Sequence, residues 1–164
     1  MMQQQQLTDR TRSVLHLAHA YACRQAAQAV RPIHVLVALA DEQDNTAAHL
    51  LSAHGITVGA LSAHLSPPLS ADVPSGRRRG GVLFDPVTRS VVKRSRKHAA
   101  AFESRHIDPE HVLLAVLDSE DVEVGSVVGA CTDASLQQIA DDLIELLLDG
   151  AVFEEPASPT VDGD

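Results

Sequence analysis

Apolar residues along this chain recur at intervals of three and four rather than two, the spacing of helices with one buried face. Thr8 precedes a segment in which Val14, Ala18, Ala22 and Ala26 fall four apart, so an N-capped helix with a narrow stripe of small residues is predicted. Pro32 suits the first turn of a second helix, and the HVLVALA that follows it is so apolar that this helix must lie centrally. A third helix is predicted over 46–53, stopped by Gly55, and a fourth over 58–65, stopped by Pro67 and Pro68.

The same order then returns. Residues 7–41, LTDRTRSVLHLAHAYACRQAAQAVRPIHVLVALAD, lie without a gap over residues 84–118, FDPVTRSVVKRSRKHAAAFESRHIDPEHVLLAVLD, at an offset of 84 − 7 = 77. TRSV and P-x-H-V-L-x-A are shared, and AAHLLSAHG faces VGSVVGACT further on. A tandem duplication accounts for a match that runs through polar and apolar positions alike. In the second copy Asp85 caps before Pro86, Asp108 before Pro109, and Asp133 is read as the cap of the long segment SLQQIADDLIELLL, which stops at Asp149 and Gly150. The prediction is an all-α, pseudo-twofold pair of four-helix units over 7–149. Repeat one is 7–65, a Pro-, Gly- and Ser-rich linker is 66–83, repeat two is 84–149, and 1–6 and 150–164 are flexible termini.

Composition sharpens this picture. The 164 residues are 45% hydrophobic but only 2% aromatic, so the core is built from Ala, Leu and Val, a palette of close-packed helices rather than of a β-sandwich. A formal charge of −9 argues against a phosphate backbone as partner. Cys23 and Cys131 form no CxxC pair and read as buried thiols of a cytoplasmic protein, and no apolar run is long enough for a membrane span.

LTDRTRSVLHLAHAYA and FDPVTRSVVKRSRKHAA resemble the F-T-x-R-A-x-x-V-L-x-x-A-x-x-x-A opening of the Clp N-terminal domain, the doubled module at the front of the unfoldases ClpA, ClpB and ClpC. RPIHVLVALAD and IDPEHVLLAVLD resemble its G-T-E-H-L-L-L-G-L word. The resemblance implies a non-catalytic module that binds substrate proteins, adaptors or an unfoldase, here as a free-standing adaptor, decoy or sequestering partner. The G-x-x-x-x-G-K-[ST] phosphate loop of the ATPase rings does not occur in these residues. Two alternatives come with the same family. One is capture of a Clp-directed cyclic peptide antibiotic. The other is a phosphoarginine reader, in which the Glu of the G-T-E-H word faces a guanidinium. That Glu is kept once, as Glu110, with Ile33 in its place in the first copy, and the opening Thr is kept once, as Thr8, with Asp85 in the second copy. At most one degenerate site is therefore expected, near Glu110.

Val82, Leu83 and Phe84, where the linker meets the second copy, are candidates for an apolar anchor or equally for core packing. The His pairs at 16 and 19, 49 and 54, and 106 and 111 lack the further ligands that a zinc site needs, so no metal or cofactor is expected. His34 and His111 hold equivalent places, which predicts a shared buried hydrogen bond. Neither cysteine sits beside an evident base, and no nucleophile elbow or paired-carboxylate motif occurs, so no enzyme is expected. Arg77, Arg78 and Arg79 with Lys93, Arg94, Arg96 and Lys97 are a solvated basic face or a landing site for an acidic partner, with nucleic acid a poorer fit.

Overall fold

The structure is a computed structural model that describes residues 6–42, 45–70 and 82–154, with side chains as far as residue 149. Among the described residues the chain forms eight helices: α1 (Asp9–Arg24), α2 (Pro32–Asp41), α3 (Thr46–Ala53), α4 (Val58–Ala63), α5 (Pro86–Ala101), α6 (Pro109–Leu117), α7 (Val122–Cys131) and α8 (Leu136–Glu154). Their first residues recur at an offset of 77 to within one position, as 9 and 86 or 32 and 109 show. The fold is mostly helical, as the periodicity predicts.

Local chemistry explains most of the helix ends. The Thr8 hydroxyl accepts from Thr11 N, Asp85 from Thr88 N and Asn45 from Ala48 N, each satisfying an N–H that the helix leaves without a partner. Gly55 follows α3 at φ +79, a left-handed backbone that glycine adopts without steric cost. Three expectations need correction. Ala26 is not on the α1 stripe, because α1 ends at Arg24 and Ala26 sits exposed at φ 59; Tyr21 and Ala22 complete the buried face. Asp133 does not cap the last helix. Ser135 does, accepting from Gln138 N at 3.1 Å while its own N–H donates to the Gln138 side chain, a reciprocal box that holds the first turn. Finally, α8 continues past Gly150 to Glu154, and the rest of the expected terminal segment, 155–164, lies outside the described residues, as does 71–81 of the expected linker.

Among the described residues four two-residue strands, invisible to helical periodicity, interlock the halves. β1 (Gln6–Leu7) pairs in parallel with β4 (His106–Ile107), and β2 (Ala29–Val30) pairs in parallel with β3 (Leu83–Phe84). The residue before the first helix of each copy thus adds to the turn before the central helix of the other. A buried hydroxyl repeats the logic: Thr11 Oγ1 donates to Ile107 O at 2.6 Å and Thr88 Oγ1 to Val30 O at 2.7 Å. These are the Thr of the two TRSV words. Thr11→Val and Thr88→Val, which keep shape and lose the donor, are each expected to cost about 1 kcal/mol in urea unfolding.

Helices α2 and α6 form the centre. Helix α2 packs on α1, α3, α4, α6 and α7, and α6 on α5, α8, α3 and α1. Leu36 and Leu113, equivalent under the 77-residue offset, are both fully buried.

Candidate functional site

Among the described residues, a groove that combines carboxylates with apolar side chains opens around the start of α6. About 670 Å³ in volume, it is bounded by the turn after α5, the N-termini of α3 and α6, and the outer face of α8. Pro109 and Glu110 occupy the first turn of α6 behind the Asp108 N-cap. Glu110, half-buried, accepts a hydrogen bond from Thr46 N at 3.3 Å through Oε2. Its carboxylate therefore rests against the positive ends of two helices, α6 and α3. Glu103 and Asp108 bring two more carboxylates to the rim, and Arg10 enters from the first turn of α1.

The opposite wall is apolar. Phe102 from the turn after α5 faces Leu146, Leu147 and Leu148 of α8, of which Leu146 is 42% and Leu148 55% exposed. Phe102 also lies 6.2 Å from the buried His111 ring. His111 Nδ1 accepts from Asp108 N at 2.9 Å, so the imidazole braces the turn that carries Glu110. In the first copy His34 Nδ1 accepts from Arg31 N at the same distance, which is the shared buried hydrogen bond expected from sequence. Burial lowers the pKa of both rings, His34 to about 4.

The matching corner of the first copy is filled. Arg31 Nε and its terminal nitrogen reach the two carboxylate oxygens of Glu123 at 3.0 and 3.1 Å and bind Gln25 as well. Gln25 Nε2 donates to Pro67 O and Arg24 Nε to Ser70 O, so the chain after α4 lies across that corner. Ile33, which stands where Glu110 stands in the second copy, is wholly buried.

The candidates from sequence fall on both strand pairs. The β1–β4 pairing brings Thr8 next to β4, with Thr8 N donating to Ile107 O at 3.2 Å just ahead of Glu110. The Thr8 hydroxyl is engaged in capping and with Thr11 Oγ1 at 2.8 Å. Val82, Leu83 and Phe84 belong to the β2–β3 side instead. Val82 N donates to His19 Nε2 at 3.1 Å, Val82 and Phe84 pack on the core, and Leu83 is 76% exposed. Arg77, Arg78 and Arg79 lie outside the described residues. Among the described residues no group of three or more His, Cys, Asp or Glu is placed to hold a metal ion, and no helix is long and apolar enough to cross a membrane. Both cysteines are free; Cys23 is buried 3.9 Å from His19 Nδ1, and burial pushes the half-buried Cys131 thiol up in pKa.

Sequence reasoning singled out Glu110 and did not assign to its site the residues that line the groove with it. Phe102 carried a signal, since the repeat places Gln25 opposite it and the chain has only three Phe. The run LIELLL carried another, because its leucines cover more of the helix circumference than one buried face needs.

Comparison with known families identifies the domain that carries this groove. The Clp repeat (R) N-terminal domain matches residues 6–131. The chain belongs to that family. Clp N-terminal domains are the substrate- and adaptor-binding, non-catalytic modules of Clp chaperones. Solved structures agree on the fold. A chain from a malarial protein secretion system matches with TM-score 0.70 and 17% identity over 90% of this chain and 98% of its own. The N-terminal domain of the chaperone ClpD from Arabidopsis thaliana gives 0.69 and 18% over 87% and 95%. The Hsp104 N-terminal domain from Candida albicans gives 0.67 and 21% over 87% and 91%. Among curated proteins none matches the sequence.

Proposed function

We propose that this Clp N-terminal domain takes a short segment of a substrate or adaptor protein into the Glu110 groove, serving Clp-dependent proteolysis or a chaperone system as an adaptor, decoy or sequestering partner. The observation that carries the reading is the pairing of an exposed leucine wall with a carboxylate rim in the corner that the first copy keeps filled. An apolar side chain beside an Arg or Lys fits such a groove: the aliphatic part leaves water against Leu146 and Leu148, and the cation meets Glu110 with Glu103 and Asp108 nearby.

Fluorescence anisotropy of a labelled Leu-Arg peptide against the full chain tests this. Glu110→Gln keeps an oxygen for Thr46 N–H and removes the charge, and about tenfold weaker binding is expected. A phosphorylated guanidinium would bring a dianion among three carboxylates, so the phosphoarginine form of the peptide is expected to bind more weakly than the plain one. Unchanged affinity in Glu110→Gln would remove the groove from the account.

A further inference from the structure

A second surface, sharing no residue with the Glu110 groove, stands on α5. Arg89, Lys93, Arg94, Arg96 and Lys97 all lie on this one helix, out of 13 Lys and Arg in a chain of formal charge −9, and α5 contains no Asp or Glu. All five are exposed. Arg94 is tied to Asp118, donating to its backbone oxygen at 2.6 Å and its carboxylate at 3.0 Å. Arg89, Lys93, Arg96 and Lys97 make no ion pair with any described residue.

The duplication makes the concentration informative. Under the 77-residue offset Arg89 faces Arg12, but Lys93, Arg94, Arg96 and Lys97 face His16, Leu17, His19 and Ala20. Nothing in the shared fold therefore requires these cations, since α1 builds the same helix without them. Stability does not require them either. Arg89 and Lys93, like Lys93 and Lys97, are like charges four apart, which costs a helix a few tenths of a kcal/mol for each pair.

Beside the charged ridge is a notch of about 300 Å³ lined by Pro86, Val87, Ser90, Val91, Arg94 and Ser119, with Val87 40% exposed. The ridge from Arg89 to Lys97 is about 12 Å long at the helical rise, the span of about four residues of an extended chain. We infer that α5 docks an acidic peptide segment of a partner protein, its Asp and Glu side chains along Arg89, Lys93, Arg96 and Lys97 and one apolar side chain in the Val87 notch. A nucleic acid fits less well: the ridge meets only a few phosphates, and the net negative body around it repels the rest of a long polyanion.

The test is a titration of the full chain with a fluorescein-labelled peptide in which Leu is followed by a run of Glu and Asp. Wild type is expected to bind at low salt and to weaken about tenfold between about 50 and about 300 mM salt. The triple variant Arg89→Glu, Lys93→Glu, Lys97→Glu changes only exposed side chains without ion-pair partners among the described residues, so its thermal midpoint should stay near wild type while binding falls at least about tenfold. Glu110→Gln should leave this peptide unaffected, which separates failure here from failure of the groove. Equal binding by the triple variant, or no binding at low salt, overturns the inference. Tighter binding of a single-stranded oligonucleotide of equal charge also overturns it, in favour of a nucleic-acid surface.

Discussion

Leu113→Ala is expected to lower the free energy of unfolding by about 3 kcal/mol, with Leu36→Ala close to it. Both side chains are fully buried, one in each central helix, and truncation leaves a cavity that α2 and α6, each hemmed in by at least four other helices, can fill only in part. The manner of the loss matters as much as its size. Each half contributes a strand, a buried threonine hydroxyl and a central helix to the other, so either variant should shift one common urea transition instead of splitting it in two. Circular dichroism at several urea concentrations measures this, and a variant with one half melted and the other intact would contradict the interlocked fold.

Acid should be nearly as damaging. The His34 ring is fully buried, its Nδ1 accepts from Arg31 N and its Nε2 meets Gln25 Oε1 at 2.5 Å. Burial first, then the Arg31 charge, pushes its pKa down from 6.5 to about 4. Between those values the unfolded chain binds a proton that the folded chain refuses, so stability falls as pH drops from 6.5 and levels off below about 4. The full displacement corresponds to roughly 3 kcal/mol. His111, lowered for the same leading reason, adds to the loss in the same direction. His34→Gln retains an acceptor for the N-cap N–H and does not titrate. Its urea midpoint should therefore fall less than that of wild type between pH 7 and pH about 4.5, and equal slopes would remove His34 as the cause.

The sequence disclosed the fold more fully than the site, for physical reasons. Helices carry their evidence locally. Pro32, Pro86 and Pro109 mark first turns, Thr8 and Asp85 mark caps, and the offset of 77 lets each copy check the other. The chain end of α1 was hidden because Ala26 fills a left-handed position that usually announces itself as glycine, and Glu103 does the same after α5. The strands were hidden because two residues are too few for an alternating pattern, and their partners lie far along the chain, His106 for Gln6 and Leu83 for Ala29. The groove is likewise non-local: α1, α3, α5, α6 and α8 all reach it, and no stretch of sequence contains more than a part. Glu110 was legible only as the one carboxylate retained in a repeated word.

Mapping of amide chemical shifts as the Leu-Arg peptide is added locates the bound segment residue by residue. If the segment sits in the Glu110 groove, the largest changes fall on Asn45, Thr46, Phe102, Glu110 and Leu146, with Leu83 and the filled corner around Arg31 and Glu123 unmoved. Changes centred on Leu83, or none at saturating peptide, would contradict it.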